Sequence, residues 1–487
     1  NAITNDAQAT IDGSLLSTPG TLTVQADSKA AIDSLSLGVG GGKSAGLAGS
    51  VSVNLLDTTA AAKITNSPDI AAAGTVSLIA TDDSKIRSLA GSVAGAGTVA
   101  AGAAVAVNDI GDRSDPTSGV FAVIENSDVA TQADLMLKAT TNGTIETISA
   151  GGAGAQTAAL GGAVSVNDMG RTLQAEIIDS QAIVGTDLTL QATDTSDIQS
   201  LAGNVAGAGT AAIGASVAKN FIGNVMTTGL DQSTVTAAVA REETTSQATI
   251  QSIAAGGQFA GNFALGGAVT LNEIDHEIAA ALRDESRLTT VEGLTLIAKD
   301  TAKIESLAGQ AAIAVNSAAV AVGVAGATND ISNRVTATVE SSTASGNSID
   351  IDAQSTGNIR SLSAGAAVSG GQFSGSIAGA LSFNTLDSVI EVTTADSKLS
   401  AVGNLLLNAT DDATIQSLAG QVAVAVSIGA GIGAAAADNQ IGNTLAVIGN
   451  NSTFKAGQNL LLQADSVAAI ETISAWLVAS AAICISG

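Results

Sequence analysis

Residues 86–108 read IRSLAGSVAGAGTVAAGAAVAVN, and the same pattern returns along the whole chain. It opens on an isoleucine, at positions 32, 86, 145, 198, 250, 304, 359, 415 and 470, so consecutive copies lie 52 to 59 residues apart. An asparagine follows further along each copy: Asn54, Asn108, Asn167, Asn220, Asn272, Asn329, Asn384 and Asn439. Repetition at a period near 55 marks an architecture in which each unit buries its apolar face only against its neighbours. Within a unit the apolar period is two, the period of a strand. Leu188-Thr189-Leu190-Gln191-Ala192-Thr193 alternates apolar and polar. From Leu89 to Val107 one parity carries Leu89, Val93, Val99, Val105 and Val107, and the other carries Ser, Ala and Thr. A strand with one branched face and one small face predicts burial on both sides, with a second layer close to the small side. Gly95-Ala96-Gly97 and Gly207-Ala208-Gly209 predict tight corners. Alanine favours helix, but the glycine density and the β-branched residues argue against it here.

These features predict an all-β chain, an elongated repeat β-solenoid of the parallel β-helix type with about nine repeats of ~55 residues. The repeats are expected at 21–74, 75–133, 134–186, 187–237, 238–292, 293–347, 348–403 and 404–458, with partial repeats at 1–20 and 459–487, all in one continuous solenoid. Two coils of ~27 residues per repeat would give a rod of about 80–90 Å at ~4.8 Å per coil, and a single coil per repeat would halve that. A longer alternation lies on top. Ser-Leu-Ala-Gly at 88–91, 200–203, 306–309 and 417–420 takes turns with variants such as Ile148-Ser149-Ala150-Gly151-Gly152, so the larger unit is about 110 residues.

Composition narrows the role. Of the 487 residues 46% are hydrophobic but only 2% aromatic, which excludes wholesale disorder and predicts a thin, closely packed core. The 44 acidic residues against 18 basic give a net charge of −26. Nucleic-acid binding needs basic stripes and stacking aromatics, so no nucleic-acid partner is expected. The apolar stretch 422–437 has counterparts containing Lys219, Gln258, Asn262 and Gln372, so it reads as core strand and no membrane span is expected. No secretion signal is visible at the start, and the chain reads as an excerpt of a longer one.

The string from Ser88 to Asn108, together with Asp187-Leu188-Thr189-Leu190-Gln191-Ala192-Thr193-Asp194, resembles the repeats of leukotoxin-type filamentous adhesins, within the broader filamentous-haemagglutinin-like bacterial exoproteins. The resemblance covers nearly the whole chain, repeat by repeat. It implies export to the extracellular side or the bacterial cell surface, a β-solenoid shaft, and a part in adhesion or filament formation. A host or neighbouring cell surface would then be met by parts outside this segment. Two other roles stay open: a self-assembling extracellular fibre, with end-to-end or lateral contacts between copies, and the shaft of a leukotoxin-like exotoxin.

The eight asparagines form either an axial amide ladder or a column of left-handed turn residues. The column after each isoleucine, from Asp33, Arg87 and Glu146 to Arg360, Gln416 and Glu471, never sets like charges side by side, as an exposed stacked face requires. Acidic residues at Asp82, Asp83, Asp194, Asp197, Asp411 and Asp412 read as solvated turns, with calcium ligation as the alternative, because calcium needs six to eight oxygens. His276 reads as a surface residue, Cys484 as buried and inert, and Trp476 as a departure from small or polar counterparts. No nucleophile is paired with a histidine base, and no phosphate-binding loop is present. The chain is expected to be non-catalytic, with no cofactor apart from that calcium alternative.

Overall fold

The computed structural model describes residues 1–112, 115, 117–426, 428–480 and 483–486. The chain is all-β, with parallel strands gathered into one sheet of 17 and one of 20. One turn of the coil serves for all. Strands Leu135–Thr141 and Thr144–Ala155 form the first layer. The chain reverses at Gln156 and Thr157, and Ala158–Met169 and Thr172–Ile178 return above it as the second layer. A corner at Asp179 and Ser180 leads into the short strand Gln181–Val184, which closes the coil, and Asp187–Asp194 begins the next.

Each residue pairs with its counterpart one whole repeat away. Ile145 lies beside Ile86 and Ile198, and Asn167 beside Asn108 and Asn220. A repeat is therefore one coil, not two. At ~4.8 Å per coil the nine turns span about 43 Å along the axis, half the length expected from two coils. The reason is local. The strand Val76–Ala96 runs unbroken for 21 residues, straight through Asp82 and Asp83, because nothing in it supplies a further corner. At ~3.3 Å per residue that strand is about 70 Å long, so these coils are wider than their stack is tall.

Three kinds of packing fill the coil. At the closed end Leu78, Leu137 and Leu190 of the first layer meet Val120, Leu173 and Ile177 of the second and Ile70 and Val129 of the closing strand. Next, the isoleucine column (Ile86, Ile145, Ile198, Ile250) faces Ile110, Met169, Ile222 and Ile274. Towards the hairpin the interior shrinks to alanine on alanine, such as Ala94, Ala100, Ala206 and Ala212. There the layers touch backbone to backbone: a Cβ on Gly151 would overlap the Gly162 carbonyl oxygen.

The small parity thus faces inward, as its residues predict. The branched parity does not find a second layer within the chain. Leu89 is 39% and Val93 61% exposed, so the expectation of burial on both sides is corrected.

Candidate functional site

Columns of identical or complementary side chains run along the coil interior. The eight asparagines sit on the inner face of the second layer and are buried as far as Asn384. Each side-chain Nδ2 donates to the Oδ1 of the next: Asn54 to Asn108 and Asn108 to Asn167 at 2.8 Å, then on through Asn220, Asn272, Asn329 and Asn384 to Asn439 at 2.6–2.7 Å. Asn1 heads the column, donating to Asn54 at 2.8 Å. None of the eight has a positive φ. The left-handed residues are others; those at the corner after the second layer include Asn66, Asn126, Asp179, Gln232 and Asp396, with φ of 46–51°. A serine follows each of them, and its amide donates to the hydroxyl of the serine one coil on, as Ser67 to Ser127 and Ser127 to Ser180, both at 3.0 Å.

Replacing Asn167 with leucine strips Asn108 and Thr147 of an acceptor and Asn220 of a donor. Unsatisfied buried polar groups cost about 1–3 kcal/mol each. Asn167→Leu should therefore destabilise the chain by about 3 kcal/mol, read as a lower midpoint in denaturant unfolding and faster proteolysis. An unchanged midpoint would mean that the ladder contributes nothing.

The acidic pairs lie differently from either reading above. Asp82, Asp194 and Asp411 point into the coil, while their neighbours Asp83, Asp197 and Asp412 point outward or lie at the rim. Strand alternation thus separates the two members of each pair, and the six carboxylates do not converge. Among the described residues no group of three or more His, Cys, Asp or Glu side chains is placed to hold a metal ion. The solvated-turn reading is corrected for the inner three.

Followed from coil to coil, their column reads Ser28, Asp82, Thr141, Asp194, Ser246, Asp300, Ser355, Asp411, Ser466. Carboxylates occupy alternate coils with a hydroxyl residue between, so neighbouring carboxylates stay about 9.6 Å apart along the axis. This accounts for the 110-residue alternation. Each carboxylate has its own partner. Asp194 accepts from the Ser196 hydroxyl at 2.6 Å, Asp300 from Asn333 at 2.8 Å and Asp411 from Asn443 at 3.0 Å. Asp82 pairs with the buried Arg171 at 3.2 Å, and that guanidinium also reaches the Thr58 hydroxyl at 2.7 Å and the Ser84 hydroxyl at 3.0 Å. Burial pushes the Asp300 carboxyl up to about 7, against the opposing pull of Asn333, and raises Asp411 too.

A second alternating column lies in the alanine region: Ser92, Gly151, Asn204, Gly256, Gln310, Gly365, Gln421, Trp476. Gln258, two residues on from Gly256, donates to Asn204 at 2.6 Å and accepts from Gln310, which bridges the Gly256 coil. The facing layer makes room with glycine; a Cβ on Gly214 would overlap the amides of Asn204 and Gln258. Trp476, in the last complete first-layer strand, is 50% exposed.

Comparison with family models, with curated proteins and with solved structures finds no match.

Single coils depart from these columns. Glu242 takes the place of a core leucine between Leu190 and Leu296. It is fully buried and neither carboxyl oxygen has a hydrogen-bond partner. Burial, and then the nearby Glu176, raise its pKa well above the usual carboxylate range. Glu176 in turn accepts from Arg283 at 2.8 Å. His276 is buried rather than exposed, because its Nδ1 accepts from the Asn224 amide at 2.9 Å and fills a corner column that also holds Arg171, Asn224, Asn333 and Ser388. The Cys484 side chain lies outside the described residues. On the outer surface the charged column does stack: Arg87 lies 3.9 Å from Asp33 and 3.1 Å from Glu146, and Arg360 lies 3.6 Å from Glu305. Among the described residues no helix is long and apolar enough to cross a membrane.

Proposed function

We propose that the chain is a structural segment, a stiff non-catalytic shaft within a large exported bacterial surface protein. The observation that supports this best is the amide ladder, unbroken from Asn1 to Asn439, with one hydrogen bond at every coil junction. Tension along the axis would be shared between these side chains and the parallel backbone ladders. The surface location and the link to adhesion rest on the sequence resemblance alone.

Pulling single molecules by their two ends tests the reading. A shaft should resist, then release coil by coil, in steps of about 200 Å for ~55 residues at about 3.6 Å each. Release of the whole chain at a few piconewtons, without steps, would overturn it. A second reading, a fibre built from many copies, draws on a different feature, the uncovered faces of the coil.

A further inference from the structure

We infer that the outer face of the first layer is a self-association surface, covered in solution by the same face of a second copy of this chain. Four neighbouring columns make the face, starting at Leu35, Leu37, Val39 and Gly41 and ending in the ninth coil at Ile473, Ala475, Leu477 and Ala479. Every position in them is aliphatic, glycine or, once, phenylalanine; none is polar, in a chain with 62 charged residues (44 acidic plus 18 basic). The side chains are open to solvent: Leu35 is 68%, Val39 88% and Val205 56% exposed.

Area decides whether this is ordinary surface. Nine coils at ~4.8 Å by four columns at ~6.8 Å give about 1,200 Å². The largest apolar patch on a typical monomer is roughly 300–600 Å², and a stable interface buries about 800 Å² on each partner. The face alone exceeds what a dimer needs.

Its relief points to a copy of itself. Bulky and small positions alternate in the second and fourth coils, Leu89-Gly91-Val93-Gly95 and Leu201-Gly203-Val205-Gly207, and from the second coil on the second column is always glycine or alanine. A two-fold axis parallel to the solenoid, placed between the second and third columns, sets the first column on the fourth and the second on the third. In the first four coils leucine or isoleucine then lies over glycine, and from the fifth it meets Phe259, Ile313, Val368, Val424 and Ala479; from the second coil on, the glycine or alanine of the second column lies over the third. The two copies share one coil spacing, so each coil meets its counterpart along the whole face. The same operation sets the Asp33–Arg87–Glu146 column over the partner's hairpin at position 43 and its counterparts, so the charge lies at the rim of the contact. The pairing does not depend on the shaft reading, which single molecules at high dilution test separately.

The test is sedimentation of the full chain between 1 and 100 µM, alone and with phosphatidylcholine vesicles. The expected result is a concentration-dependent dimer or larger species, with a dissociation constant weakened at least 100-fold in the double variant Val93→Lys, Val205→Lys. These side chains leave the interior untouched, so circular dichroism and the melting temperature should be unchanged. Should that variant misfold, Leu35→Lys in the first complete coil asks the same question. A monomer at 100 µM would overturn the proposal. So would association that the substitutions leave intact, which would place the contact at the coil ends or on the second layer. So would a monomer that binds vesicles through the same residues, which would make lipid the occupant.

Discussion

A variant lacking residues 349–404 is expected to be less stable than one lacking residues 294–404, although it loses one coil rather than two. Removing the first stretch joins Leu405 to the place of Ile349 and keeps every backbone register. It also removes Ser355, so that Asp300 and Asp411 become neighbours about 4.8 Å apart. Two buried carboxyls at that distance cannot both ionise, and Asp300 already titrates near 7 because of its burial. The amide column suffers likewise, since Gln310 would then meet Gln421 without the intervening Gly365. Removing both coils sets Ser246 beside Asp411 and Gly256 beside Gln421, and the alternation survives. The one-coil deletion should cost about 3 kcal/mol more than the two-coil deletion, as expected for an uncompensated buried charge. Denaturant midpoints at pH 7 measure it. A stability that simply falls with the number of coils removed would show that the alternation has no energetic meaning.

Glu242→Leu should stabilise the protein by about 3 kcal/mol at pH 7. The wild-type side chain buries a carboxyl with no hydrogen-bond partner, which costs about 1–3 kcal/mol even when neutral. Leucine restores the column between Leu190 and Leu296. The pH dependence carries the sign. The folded-state pKa lies above the unfolded one, so above ~4.5 the unfolded state gives up a proton that the folded state keeps. Wild-type stability therefore falls as pH rises from about 4.5 through the folded pKa, and the leucine variant lacks this slope. The gain should shrink to about 1–2 kcal/mol at pH 4. A gain that does not vary with pH would mean that the carboxyl is not held neutral.

The repeat and its strands were legible because stacking demands the same residue type at every coil. The isoleucines and asparagines recur for that reason, and their intervals are the coil length. The number of coils per repeat was not legible, since a polar Asp82-Asp83 reads as a corner when it lies within one long strand. Its two side chains face opposite ways, and only the fold shows which one is inside. The alternation of 110 residues was visible in Ser-Leu-Ala-Gly, but its cause lies in two other columns, at Asp82 and at Ser92. Glu242, Arg171 and His276 each occur in a single coil, so no periodicity announces them. Aligning Glu242 with Leu190 and Leu296 would have marked it as an interior carboxyl.

A coil that takes up a whole repeat turns sequence into breadth. Fifty-five residues of α-helix would advance about 80 Å, whereas here they advance ~4.8 Å and add another 70 Å plank to the stack. Two layers about 10 Å apart at the closed end, and closer towards the hairpin, make a body at most roughly 20 Å thick. The stiffness of a beam against bending scales with the cube of its depth in the bending plane, so such a slab flexes across its thin dimension on the order of ten times more readily than edgewise. Its compliance is that of a ruler, with one soft direction, and successive coils would steer the stack to curve in one plane.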